Sequence, residues 1–69
     1  APQVFLEAWE ALGTPKDETV VFEDGLLSIG GAKEAGFYVI AIADEAEMKY
    51  ATLIKTLADQ YIESFKELL

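Results

Sequence analysis

A chain of 69 residues can form at most one small domain, and a domain of this size buries only about 60% of the surface that its unfolded form exposes. It has no cysteine and no histidine, so no disulfide supports it and no imidazole or thiolate can bind a metal. Thirteen acidic residues against five lysines leave a net charge of −8, which argues against nucleic acid and anionic membranes as partners, because both need basic residues to neutralise phosphates.

Phe5, Leu6, Ala8, Trp9 and Leu12 recur at helical spacing, with Glu7 and Glu10 on the opposite face. A helix is therefore expected over 3–12, stopped by Gly13, with Phe5 and Trp9 as core residues. Thr14-Pro15-Lys16-Asp17-Glu18 combines an N-cap candidate, a proline at the first helical position and acids in the first turn, in a length that allows one turn. Residues 19–23 read as a buried strand that runs into the acidic pair Glu23-Asp24 and then Gly25. Leu26, Ile29, Gly30 and Lys33 share one face of the next helix, over 26–35, which Gly36 ends. Gly30-Gly31 in its interior costs about 1 kcal/mol per glycine relative to alanine. The pair marks close packing, a bound group nearby, or a locally weak helix.

Residues 37–43 form an uninterrupted apolar run, as in strands buried on both faces of a parallel sheet. Asp44 and Glu47 have the spacing of a capping box, and Tyr50, Leu53, Ile54 and Leu57 predict a helix over 46–58. A short extended segment is expected within 59–63, and Ser64 with Glu67 repeats the capping-box pattern before a last short helix. The alternation of helix and strand means an α/β fold: a small parallel sheet with flanking helices. The strand at 19–23 lies open on one side unless another strand pairs with it. An apolar content of 52% is high for so short a chain, and part of that surface is expected to lie against something further. No apolar run approaches the ~18 residues of a membrane-spanning helix, and no signal-peptide pattern occurs. A chain without cysteine suits the cytoplasm.

A buried strand, an acidic pair, a glycine and a helix are how many α/β proteins place a metal or phosphate at the carboxyl edge of a sheet. Two adjacent carboxylates repel, so a cation or a proton relieves them. With no histidine or cysteine, the cation would be a hard one that takes oxygen ligands, such as Mg²⁺. The bland reading of Glu23 and Asp24 is an acidic helix start. Asp44-Glu45, also after a strand, reads as a cap before it reads as a ligand.

Val21-Phe22-Glu23-Asp24, then Ile29, then Ala32-Lys33-Glu34-Ala35-Gly36-Phe37, resembles the fourth motif region of the haloacid-dehalogenase-like hydrolases. Most of these are Mg²⁺-dependent phosphatases and phosphomutases. Phe5 to Gly13 is similar to the helix before that motif, Tyr38 to Asp44 to the next strand, and Ala58 to Phe65 to the closing strand and final helix. The resemblance implies the C-terminal portion of a Rossmann-like hydrolase core. It implies that Asp24 and Glu23 bind Mg²⁺, and that the partners are the remainder of the core, in cis or in trans, and a phosphorylated small molecule. Lys33 matches a common family position, but it sits well into the helix and reads as structural.

The departures are as informative. The family's nucleophile is an Asp in an Asp-x-Asp motif on the first strand, and no Asp-x-Asp occurs here. The family's Ser or Thr after the second strand, its Lys before the helix that here begins near Gln3, and its substrate-selecting cap find no counterpart. Gly25 stands where relatives often have Ser or Ala, and Ser28 where they often have Gly or Ala. The chain alone is therefore expected to be inactive. The alternatives are a small α/β domain, natural or engineered, without catalytic activity, and a receiver-like signalling domain. The latter needs a longer chain with a separate phosphoacceptor Asp and a strand-end Lys.

Overall fold

The computed structural model describes residues 2–69. Helix α1 (Pro2–Leu12) and a 3₁₀ turn (Lys16–Glu18) lead into strand β1 (Val20–Glu23), helix α2 (Leu26–Glu34) and strand β2 (Tyr38–Ile42). A 3₁₀ helix (Glu45–Tyr50) then continues into helix α3 (Ala51–Leu57), followed by strand β3 (Gln60–Ile62) and a closing 3₁₀ turn (Phe65–Leu68). The strands form one sheet in the order β1-β2-β3, parallel throughout. The protein is thus α/β with a small three-stranded parallel sheet, as the alternating pattern predicts. Parallel neighbours cannot be joined by a tight turn, and α2 and α3 are the crossovers that this requires. Among the described residues no helix is long and apolar enough to cross a membrane.

Side chains alternate across a strand, and the register sets Val21 beside Val39 and Ala41 beside Tyr61 on one face. This face meets Ile29 and Ala32 of α2, Ile54 of α3 and Phe5 of α1, and the buried core lies there. Each fully buried Ile or Val contributes about 1.5–3 kcal/mol relative to exposure. The opposite face carries Val20, Phe22, Tyr38, Ile40 and Ile62. Its cover is the closing 3₁₀ turn, whose Phe65 ring lies 5.6 Å from that of Phe22. Ile40 and Ile62 are buried, whereas Val20, Phe22 and Tyr38 stay 45, 42 and 48% exposed. The molecule is accordingly only 17 Å deep in its thinnest direction, a two-layer thickness.

Several elements differ in detail from their sequence patterns. Tyr50, Leu53, Ile54 and Leu57 were to be one apolar stripe, yet Leu53 and Leu57 stay exposed and Ile54 alone of the four is buried. The first half of the expected 46–58 helix is 3₁₀, over Glu45–Tyr50. On α2 the buried positions are Ile29, Gly31 and Ala32. A Cβ at Gly30 would meet nothing within 4 Å, so that glycine is not held by close packing. Gly36, at φ +93, ends α2 in the left-handed region. Its N–H donates to the Lys33 carbonyl and the Phe37 N–H to that of Ala32, the paired bonds of a Schellman cap.

Candidate functional site

Glu23 and Asp24 stand at the carboxyl end of β1, where the chain turns into α2. Glu23 shares the face of Val21 and is half-buried, beside Val4, Phe5, Leu27 and Ser28. Asp24 is exposed at the strand exit. Both line a cleft of about 490 Å³ between the ends of β1 and β2, together with Asp44, Glu45 and the rings of Phe22 and Phe65. The fold therefore brings the two acidic pairs read from the sequence to one sheet edge.

The cleft is lined by four carboxylates and no base. Four of the lysines are engaged elsewhere. Lys33 pairs with Asp59, Lys16 sits over the Trp9 and Phe37 rings, Lys49 over Tyr50 and Lys55 over Tyr61. Lys33 lies at the other end of the sheet. It donates to the Phe37 carbonyl at 3.0 Å and to Asp59 Oδ2 at 2.7 Å, so its role is to join α2 to the amino ends of β2 and β3. That hydrogen bond and the N–H of Val39 hold the Asp59 carboxyl below its ordinary value. Trp9 packs edge-on to Phe37 with centroids 6.0 Å apart and donates its indole N–H to the Thr14 carbonyl, in keeping with a core role.

Asp44 acts as a cap: its Oδ1 accepts the Ala46 N–H at 3.0 Å. The reciprocal half of that capping box is replaced by another bond. Glu47 Oε1 instead accepts the N–H of Leu26, 21 residues away, at 2.8 Å. The N-cap of α2 is Gly25, which has no side chain to offer the orphan N–H groups of a helix start. A carboxylate from the neighbouring crossover takes that place, where the positive end of the helix dipole also favours it. Sequence reasoning missed this role for Glu47. The signal available was the bare glycine at the N-cap of α2, which needs an acceptor from elsewhere. The Ser64–Glu67 box, by contrast, forms in full: Ser64 Oγ accepts the Lys66 N–H and the Glu67 carboxylate accepts the Ser64 N–H.

Glu23 and Asp24 suit a hard divalent cation in donor type, since both offer carboxylate oxygen at an open strand end. In number they are a partial set, because Mg²⁺ takes about six oxygens. Among the described residues, no group of three or more His, Cys, Asp or Glu side chains is arranged to hold a metal ion. Any further protein ligand would come from beyond this set. Compared with models of known protein families, with curated proteins and with solved structures, the chain finds no match in any of the three.

Proposed function

We propose that this chain is the C-terminal segment of a Mg²⁺-dependent haloacid-dehalogenase-like phosphatase or phosphomutase core, in which Asp24 and Glu23 supply metal ligands. The observation that carries the reading is the acidic pair at the carboxyl end of an edge strand in an all-parallel sheet, where open α/β sheets bind their ligands. The free edge of β1 and the exposed apolar face beside it suit a strand and a helix layer from the remainder of the core, in cis or in trans. Bound Mg²⁺ would neutralise charge on the phosphoryl group of a small-molecule substrate. The chain's own part is to hold two carboxylates at the strand exit and to close one side of the cleft with Phe22 and Phe65. The acidic surface and the absence of cysteine suit a cytoplasmic enzyme that binds neither nucleic acid nor membrane. The other reading is a small α/β domain without activity, favoured by the finding that no three or more acidic side chains among the described residues are arranged to hold a metal ion.

The deciding experiment pairs this chain with the N-terminal part of such a core, fused or added in trans, and titrates Mg²⁺ against initial rate on a phosphomonoester. The chain by itself is expected to give no turnover, and the completed core to give Mg²⁺-dependent turnover. Asp24→Asn keeps the shape and removes a charge, and should weaken Mg²⁺ affinity and rate by more than about tenfold. Glu23→Gln should act in the same direction more mildly. An unchanged Mg²⁺ dependence in Asp24→Asn would mean that the pair is only an acidic helix start.

A further inference from the structure

β1 ends the sheet, and its own residues do little to protect that edge. Among the described residues no strand pairs with its outer side, so the outward backbone N–H and C=O groups of Val20–Glu23 have no ladder partner. Such edges are usually guarded by a proline, a bulge or a charge within the strand. Val20-Val21-Phe22 has no proline or charge, and its register with β2 runs unbroken. The surface on both sides is apolar. On the face away from the helices, Val20, Phe22 and Phe65 are exposed. On the helix face, a cleft of about 320 Å³ lies beside the end of β1, lined by Val4 and Phe5 of α1 and Leu27 of α2. Alternate side chains of an added strand would meet apolar surface on either face.

The charge at this edge stands at its two ends and has one sign. Asp17 and Glu18 lie in the turn before β1, Glu23 and Asp24 at its exit, and Asp44 and Glu45 line the cleft beyond. Among the described residues none of these acids is paired with a lysine, and the ion pair that does form joins Lys33 to Asp59. Lys16, the base next in sequence to the edge, is held over the Trp9 and Phe37 rings. A second copy, or any acidic strand, would set acid against acid here. A segment with bases at both ends meets opposite charge whichever way it runs.

We infer that the β1 edge is a docking site for an extended segment of a partner chain, apolar over about four residues and carrying Lys or Arg at both ends, which adds to the sheet as a further strand. Backbone pairing and the apolar faces supply affinity, and the unpaired acids select for charge. The inference rests on the reading of the sheet as incomplete and goes beyond it by giving the added segment its chemistry. It makes no use of a metal.

The test titrates a synthetic peptide, Val-Ile-Val-Ile with two lysines at each end, into the labelled 69-residue chain without Mg²⁺, and follows the amides of residues 20–24 by NMR. These amides should shift and exchange more slowly, and affinity should fall about tenfold between about 0.01 and 0.15 M salt. A counterpart with glutamates for lysines should bind about tenfold more weakly or worse. So should one with prolines for isoleucines, which cannot complete the ladder. Asp17→Asn with Glu18→Gln, and separately Asp24→Asn, should lower affinity about two- to threefold while Val39 and Ile54 keep their exchange rates. No change at residues 20–24 at about millimolar peptide would overturn the inference, as would equal binding by the glutamate peptide. Equal binding by the proline peptide would mean attraction to an acidic surface without strand pairing. Shifts centred on Leu53 and Leu57 would put the peptide between α2 and α3. Either result also overturns the inference. If the peptide fails while the chain still associates with itself through β1, the sheet is incomplete and only the basic occupant is wrong. If neither binds, the incomplete-sheet reading fails with it.

Discussion

One carboxylate oxygen of Asp59 accepts both the Lys33 ammonium and the Val39 N–H, each at 2.7 Å, while the Asp59 N–H donates to the Val39 carbonyl at 2.9 Å. A single side chain therefore registers the start of β3 against β2 and ties both to α2. The Lys33 hydrogen bond is the largest cause of its lowered pKa, and the Val39 N–H the next. The sign follows. A carboxyl whose folded pKa lies below its ordinary 3.8 contributes stability that is fully present above that value. The contribution is lost as pH falls through the folded value. The side chains of Lys33 and Asp59 are 31 and 29% exposed, so solvent screens the pair and its contribution is modest. Asp59→Asn should cost about 1 kcal/mol at pH 7. The gap between the variant and the wild type should be full above pH 3.8, narrow as the pH falls below that value, and close only below the lowered folded pKa, where the wild-type carboxyl is protonated as well. Urea midpoints at pH 7 and in steps below pH 3.8 check this, and a constant gap between the two proteins would show that the carboxylate charge plays no part.

Helix α2 carries its glycines in two different physical situations. Gly30 is interior and faces open space, so a methyl group there meets nothing and removes backbone freedom from the unfolded chain. Gly36 holds the left-handed position of the cap at φ +93, where a Cβ is strained and would also stand 3.2 Å from Lys16 Nζ. Gly30→Ala should therefore stabilise the protein by about 0.5–1 kcal/mol. Gly36→Ala should destabilise it by about 1–2 kcal/mol and weaken the turn into β2. Thermal unfolding of the two variants compares them directly, and a stabilising Gly36→Ala would contradict the cap. The outward face of α2 has its own consequence. Leu26, Leu27 and Gly30 form one wall of an apolar groove of about 670 Å³ whose other wall is Leu53 and Leu57 of α3. The groove leaves Leu53 and Leu57, half of the α3 stripe, exposed.

The molecule as a whole is a sheet with helices on one face and an open strand at its edge. Among the described residues β1 has no partner on its outer side, and Val20 and Phe22 are exposed on the thinly covered face. Unpaired apolar edges invite further pairing. A second copy can supply it, but two-fold pairing runs the two β1 strands antiparallel and sets Glu23 and Asp24 of one copy near Asp17 and Glu18 of the other. A net charge of −8 on each copy adds to the repulsion. The chain alone should therefore associate weakly, sedimenting above its 7.6 kDa monomer mass and more so as salt screens the acids. Val20→Lys, a charge on the edge, should return it toward monomer. A monomer with a cooperative melt at every salt concentration would count against an incomplete sheet, and with it against the reading of this chain as part of a larger core.

Local patterns in the sequence determined the element order, the two strands either side of α2, their parallel pairing and the place of the acidic pair. Each follows from forces that act over a few residues. The run 37–43 has the length and the β-branched and aromatic content of a strand, Gly36 takes a conformation that other residues resist, and Glu23-Asp24 falls where a strand gives way to a helix. Ser64 and Glu67 cap their turn as their spacing implies, because both partners lie within it. The tertiary structure alone decided what depends on groups distant in the chain. Glu47 has the same capping spacing from Asp44, yet its carboxylate goes to Leu26, because the crossover lays it beside a helix start whose own cap is a bare glycine. Of the three readings of Gly30-Gly31, close packing fails at Gly30, where a Cβ would meet nothing within 4 Å. Lys33 was legible as structural, but its partner Asp59 lies 26 residues further along and no pattern in the sequence pairs them. Whether Asp44 and Glu45 stand near Glu23 and Asp24 depends on which strand ends meet. Only the parallel register of β1 and β2 brings those four carboxylates to one cleft.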